Sequence, residues 1–115
     1  SPGQTYPGPF TVLFDTGKAS IRPESAGVVR QIADLLKQQP ALKVSIEGHT
    51  DNQGNAAANM ALSQQRAKAV VDAVTAQGVA PAGLSAVGWG QDKPVADNRS
   101  HAGRARNRRV EMLKQ

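Results

Sequence analysis

The sequence predicts an α+β domain built as a two-layer α/β sandwich, with a mixed four-stranded sheet and both helices on one face. Three observations predict this class. Short segments with alternating apolar residues predict strands, and two longer segments with apolar residues at helical spacing predict helices, in the order βαβαββ. Proline, glycine or asparagine separates these segments. The 115 residues suffice for one hydrophobic core without disulfides, and the chain has no cysteine.

The first half of the chain predicts a tail, a strand, a helix and a second strand. Residues 1–9 hold three prolines and two glycines, which is typical of a flexible tail or linker end, so the domain is expected to span residues 10–115. From Phe10 to Asp15 the apolar residues alternate, which predicts a strand. A helix is expected from about Pro23 to Gln39, because proline suits the first helical turn and a second proline follows the last. Residues 42–48 alternate again and predict the second strand.

The second half predicts a polar loop, the second helix and two more strands. Residues 48–58 are rich in glycine and asparagine, and a helix is expected from about Asn59, with Gly78 as its C-cap. The third strand is predicted at residues 84–90. A long connection with a short helical turn near its end leads to a fourth strand at residues 107–114.

Arg66 is the most informative residue of the second predicted helix. Steps of four residues align it with Leu62, Val70 and Val74, so its guanidinium lies beside an apolar stripe. An unpaired charge at the edge of a core is costly, so a carboxylate is expected nearby. Asp51 is the expected partner, because it follows the second strand in the loop that leads into this helix. A purely structural ion pair remains the alternative interpretation.

A second carboxylate is expected near this pair. Asp15 ends the first strand as Asp51 ends the second, and ligands of α/β sheets usually bind beyond the carboxyl ends of the strands. A carboxylate beside an arginine suits a zwitterionic ligand, whose ammonium pairs with the acid and whose carboxylate pairs with the guanidinium.

Four separated motifs resemble, in the right order, the C-terminal domain family of outer membrane protein A: GHTDNQG, NMALSQQRAKAV, GWGQDKPVADN and GRARNRRVE. The family includes the peptidoglycan-associated lipoproteins and the flagellar stator B subunits, and the resemblance runs from about Phe10 to Leu113. It implies non-catalytic, non-covalent binding of peptidoglycan through the diaminopimelate of the stem peptide. It also implies a periplasmic domain of a Gram-negative envelope protein whose membrane anchor lies outside this segment. A homodimer is left open.

The resemblance also implies roles for individual residues. Asp51 is expected to bind the diaminopimelate ammonium and Arg66 its carboxylate. Further pocket residues are expected to be Asp15, Asn59, Leu62 and the loop backbone near Asn52. Arg108, from the NRR motif, is expected to share a strand face with Val110 and Met112 and to buttress the site. The chain departs from the family pattern at Thr16-Gly17 and at Ala58, where an acidic or aromatic residue and a tyrosine are common.

Enzymatic and metal-dependent functions are not expected. The two histidines, His49 and His101, lack the spacing of a metal site, and His49 is expected to shape the loop by hydrogen bonding. Asp15 and Asp51 resemble a glycosidase pair, but a nearby arginine lowers the pKa of a carboxyl group that acid catalysis needs raised. No metal and no cofactor is therefore predicted.

The net charge of +5 arises within residues 99–115, because the preceding residues carry equal numbers of acidic and basic side chains. A nucleic-acid binder that uses these arginines is one competing hypothesis, but aromatic residues are only 3% of the chain and leave little for base stacking. No nucleic-acid partner is therefore expected. A second competing hypothesis is an interaction module of a secretion or motor complex.

Overall fold

The computed structural model describes residues 10–115, so the predicted tail at residues 1–9 lies outside the described part of the chain. The elements follow the chain as β1 (Val12–Leu13), α1 (Ala26–Gln38), β2 (Val44–Gly48), α2 (Ala56–Thr75), β3 (Leu84–Gly88), α3 (His101–Asn107) and β4 (Arg109–Lys114). The strands form one mixed sheet with the order β1-β4-β2-β3. β2 and β3 are parallel, whereas β4 is antiparallel to both of its neighbours. The predicted α+β class is confirmed.

The core forms where α1 and α2 pack against the sheet. Alternation along the strands sends every second side chain to this face, and the apolar stripe of each helix closes over it. Arg66 is the one charged side chain among the fully buried large residues there. The buried apolar residues of this core are Val12, Phe14, Val29, Ile32, Ala33, Leu36, Val44, Ile46, Ala67, Val70, Val74, Val79, Val110 and Met112.

α2 lies unusually close to the ends of β2 and β3. A Cβ atom on Gly48 would lie 2.0 Å from the backbone oxygen of Ser63, and one on Gly88 would lie 2.6 Å from the Ser63 hydroxyl oxygen. Only glycine fits at either strand end. This close approach sets the height of α2 over the sheet, and therefore the position of Arg66 one turn further along the helix.

Several boundaries differ from the predictions. α2 begins at Ala56 rather than about Asn59, because the side chain of Asn55 accepts hydrogen bonds from the backbone N–H groups of Ala57 and Ala58. The helix ends at Thr75, and Gly78 closes the following turn with a φ of +100°. The predicted helical turn before β4 is the seven-residue helix α3.

Arg108 is not a strand residue, so the expectation that it shares a strand face with Val110 and Met112 is wrong. β4 begins one residue later, at Arg109. The backbone N–H of Arg108 still donates to the carbonyl of Arg104, so Arg108 is the C-cap of α3. Its side chain is thereby directed to the loop after β2.

Candidate functional site

The loop after β2 holds Asp51 in a buried, hydrogen-bonded position. The Asp51 side chain is 6% exposed. Its Oδ1 accepts a hydrogen bond from the backbone N–H of Gln53 at 3.1 Å, and its Oδ2 accepts one from Nη1 of Arg108 at 3.1 Å. The hydroxyl of Thr50 donates to the Asp51 carbonyl at 2.7 Å. Asp51 is therefore a fixed carboxylate at the carboxyl end of β2.

Arg66 joins two segments of backbone, the turn at residues 15–18 and the loop after β2. Its Nε donates to the carbonyl of Lys18 at 2.8 Å, Nη1 to that of His49 at 2.9 Å and Nη2 to that of Asp15 at 3.0 Å. The guanidinium lies 5.2 Å from the ring centroid of Phe14, and the residue is fully buried. Burial lowers the pKa of Arg66 to about 10, while the charge of Asp51 opposes that shift. Arg66 remains a cation at neutral pH.

The expected direct pair of Asp51 and Arg66 does not form. The partner of Asp51 is Arg108, whose Nε also donates to the carbonyl of Phe14 at 3.0 Å. Arg66 instead satisfies carbonyl groups that the sheet and helices leave without partners, and it influences Asp51 through its charge. The geometry therefore pairs Asp51 with Arg108, whose side chain is 16% exposed, whereas Arg66 is fully buried.

Asn59 fixes the shape of the Asp51 loop from inside. Its side-chain Nδ2 donates to the carbonyl of Gln53 at 3.0 Å and to Oε1 of Gln91 at 2.9 Å, and approaches the carbonyl of Asp51 at 3.4 Å. The residue is 7% exposed. Asn59 therefore lies at the base of the loop, and its role in lining a ligand pocket stays a prediction.

The other predicted site residues lie around this loop at different depths. Asp15 is brought to the site by its backbone, which accepts from Arg66, whereas its exposed carboxylate lies 3.7 Å from Nε of Arg22. Asn52 is exposed at the tip of the loop, and Leu62 is half-buried on α2. The structure thus brings backbone from Asp15, but not its carboxylate, to the Asp51 loop.

His49 has a different environment from the one predicted. Neither of its ring nitrogens has a hydrogen-bond partner among residues 10–115, although the side chain is buried. The backbone of His49 forms the contacts instead, with its N–H donating to the carbonyl of Arg109 and its carbonyl accepting from Arg66. The prediction that the imidazole shapes the loop by hydrogen bonding is wrong.

Two supporting residues could not be singled out from the sequence. The Ser63 hydroxyl donates to the carbonyl of Met60 and accepts from the backbone N–H of Gly90, which ties α2 to the end of β3. Asn107 is fully buried and binds the backbone of Val95 and Ala96 through its side chain. The NRR motif that contains Asn107 was the only available signal, and it indicated Arg108 instead.

The fold and the site define a small α+β binding module with a charged loop at the carboxyl end of β2. In the part of the chain that the structure describes, no group of three or more His, Cys, Asp or Glu residues is placed to hold a metal ion. The described helices include none that is both long and apolar enough to cross a membrane. The sequence matches the model of the OmpA family over residues 13–108, and the chain belongs to that family.

Comparison with individual proteins agrees with this assignment. The chain is 49% identical over 100 residues to outer membrane porin F of Pseudomonas fluorescens, covering 87% of this chain and 31% of the porin. It is 42% identical over 102 residues to the peptidoglycan-binding protein ArfA of Mycobacterium bovis, covering 89% of this chain and 31% of ArfA. The crystal structure of the peptidoglycan-associated lipoprotein from Burkholderia pseudomallei superimposes with a TM-score of 0.88 at 37% identity, covering 91% of this chain and 89% of the lipoprotein.

These relationships confirm three predictions. The chain is an OmpA-like domain, it is a binding module rather than an enzyme, and its location is periplasmic. It spans about a third of the length of the porin and of the mycobacterial protein that it matches.

Proposed function

We propose that this domain binds peptidoglycan non-covalently through the diaminopimelate of the stem peptide and so anchors a longer envelope protein to the cell wall. The observation that carries the proposal is the buried Asp51 carboxylate, which Arg108 and the Gln53 backbone hold in place. One relative of the chain is named a peptidoglycan-binding protein, and a close structural neighbour is named a peptidoglycan-associated lipoprotein.

The hydrogen-bond capacity of Asp51 suits a ligand ammonium. Each carboxylate oxygen accepts up to two hydrogen bonds, and each already accepts one, from Gln53 or from Arg108. One acceptor position therefore remains on each oxygen. The free amino acid end of diaminopimelate carries an ammonium with three donors, which fits these positions.

The ligand carboxylate is assigned to the two guanidinium groups. Arg108 uses two of its five N–H donors within the fold and Arg66 uses three. Because Arg66 is fully buried, Arg108 is the group that an arriving carboxylate meets first. Arg66 adds positive charge behind it, and its two remaining donors reach a ligand only if the loop opens slightly. Asp15, Asn52, Asn59 and Leu62 are proposed to line the surrounding wall.

Most of the C-terminal positive charge is engaged within the fold. Arg99 pairs with Asp97, Arg104 binds the carbonyl of Asn98, and Arg109 pairs with Glu111. Together with the Asp51–Arg108 pair, these contacts interrupt the continuous basic stripe that a phosphate backbone would require. The distribution of charge therefore favours a wall ligand over a nucleic acid.

Co-sedimentation with purified insoluble peptidoglycan tests the proposal. The wild-type domain should sediment with the wall material, and D51N and R108Q should remain largely in the supernatant. The exposed pair of Asp97 and Arg99 offers a matched control, because D97N and R99Q remove the same groups away from the loop. Equal retention of D51N and wild type would refute the assignment of this site.

A further inference from the structure

His49 is an unusual buried polar residue. It is 2% exposed, and neither Nδ1 nor Nε2 has a hydrogen-bond partner within residues 10–115. Buried polar atoms in proteins are nearly always paired, because an unpaired one loses its hydration without compensation. An imidazole in such a place is tolerated when it is neutral and becomes much more costly when it gains a charge.

The surroundings of His49 disfavour a second positive charge. Gly48 faces α2, so strand alternation places His49 on the opposite face of the sheet, with Glu47. β4 contributes Arg109, which pairs with Glu111, and the connection after β3 contributes Lys93. Glu47 is the nearby acid on β2, but its carboxylate already accepts from the Trp89 indole and the Ser45 hydroxyl.

The backbone of His49 is continuous with the candidate site. Its N–H donates to the carbonyl of Arg109 at 2.8 Å, and its carbonyl accepts from Nη1 of Arg66 at 2.9 Å. Asp51 follows two residues later. A displacement of the His49 ring therefore strains the contacts that position the Asp51 loop.

We propose that His49 is a proton-sensitive latch: its neutral ring holds the end of β2 against β4 and the segment around Lys93, and its protonation opens this packing and frees the Asp51 loop. Burial lowers the pKa of His49 to about 4, with Arg109 and Lys93 lowering it further and Glu47 opposing them. The open or unfolded chain, whose histidine has an ordinary pKa near 6.5, then binds more protons than the closed fold between about pH 6.5 and pH 4. The closed form is accordingly unaffected above this window and loses stability as the pH falls through it.

Hydrogen exchange of the backbone amides of residues 48–51, measured from pH 7 to pH 4 and corrected for the intrinsic exchange rate, tests the latch. In the wild type, the ratio of open to closed forms should rise by up to about tenfold per pH unit within the window. H49Q should show no such rise. H101Q is the matched control, because His101 is exposed on α3 and should leave the wild-type behaviour unchanged.

Fluorescence of Trp89, the single tryptophan, gives an independent signal next to the latch, and circular dichroism separates local opening from global unfolding. A pH-dependent Trp89 signal that is identical in H49Q and wild type would overturn the proposal, because carboxylates would then drive the change. The absence of opening in the wild type would also overturn the proposal. If H49Q folds poorly, H49F replaces it. NMR titration of the His49 ring in the wild type reports its protonation directly, and His101 serves as the internal reference in the same spectrum.

The consequence for wall binding rests on the proposed function. Retention on peptidoglycan should fall between pH 7 and pH 4.5 in the wild type by more than in H49Q. Absence of binding at pH 7 in both would count against the proposed function alone, since hydrogen exchange tests the latch without a ligand. If acid reduced the retention of the wild type and of H49Q equally, protonation of His49 would not control ligand release, and this consequence would be refuted.

Discussion

Oδ2 of Asp51 accepts a hydrogen bond from Nη1 of Arg108 at 3.1 Å, and 57 positions of the chain separate the two residues. The pair joins the loop after β2 to the end of α3. Both side chains are largely withdrawn from water, at 6% and 16% exposure. The same contact therefore holds the Asp51 carboxylate in a fixed position, as the proposed binding of a cationic ligand requires.

The Asp51–Arg108 pair should be important for stability. Removal of one partner from a buried ion pair leaves the other charge uncompensated, so D51N and R108Q should each lower the free energy of unfolding by roughly 3 kcal/mol. The double variant should lose less than the sum of the two, which urea denaturation of all four proteins would show. D97N and R99Q remove an exposed pair and should leave the unfolding midpoint nearly unchanged. Additive losses for D51N and R108Q would indicate that the two side chains do not interact.

Arg66 should be primarily a structural residue, because its planar guanidinium reaches three separate backbone carbonyls. Lysine carries the same charge but cannot reproduce this fork. R66K should therefore destabilise the fold by about 3 kcal/mol or more, whereas R30K, on the exposed face of α1, should be neutral. The measurement is the free energy of unfolding, followed by wall binding under conditions where the variant is folded. Wild-type stability of R66K combined with lost binding would instead make Arg66 a ligand contact alone.

Gly48 should not tolerate a side chain. An added Cβ would lie 2.0 Å from the backbone oxygen of Ser63, so α2 would have to move away from the sheet and carry Arg66 with it. We expect G48A to cost about 2–3 kcal/mol of unfolding free energy, as overpacked cores do. Gly27, inside α1, is the matched control because an added Cβ meets nothing within 4 Å there, and G27A should stabilise the protein by roughly 0.5–1 kcal/mol. Thermal unfolding should show a loss of stability for G48A and a gain for G27A. An unchanged stability of G48A would contradict the close packing of α2 on the sheet.

Asn55 should contribute to stability as the N-cap of α2. Its side chain accepts from the N–H groups of Ala57 and Ala58 at 2.8 and 3.1 Å. N55A should cost about 1 kcal/mol, and N55D should retain most of the stability because aspartate caps equally well. Chemical denaturation would distinguish the two variants. Equal losses for alanine and aspartate would show that the cap contributes little.

The sequence predicts the elements well where local patterns determine them. Alternation predicted β2 from residues such as Val44 and Ile46, and helical spacing predicted α1. The start of α2 was placed too late because Ala56, Ala57 and Ala58 carry no apolar periodicity, and because Asn55 resembles a loop residue until its capping contacts are seen.

The burial of Arg66 was predictable, but the pairing of Asp51 was not. The position of Arg66 on an apolar stripe indicated a buried cation, and Asp51 lies in the loop after β2 as expected. The assignment of this loop as the binding site stays a prediction. Neither feature identifies the atoms that Arg66 contacts, because Asp15 and Lys18 lie about fifty positions away in sequence. Arg108 became the partner of Asp51 because α3 extends to the start of β4, which strand alternation alone does not reveal.

The central claim is that the site recognises both charges of one amino acid end. Calorimetric titration of the domain with a stem peptide that contains diaminopimelate, and with the same peptide containing lysine at that position, tests this claim most directly. Lysine lacks the second carboxylate, so the guanidinium of Arg108 loses its ligand partner. A hydrogen bond to a charged group contributes about 1.5–3 kcal/mol, which predicts binding of the lysine peptide weaker by about tenfold or more. Equal affinity for the two peptides would contradict the account.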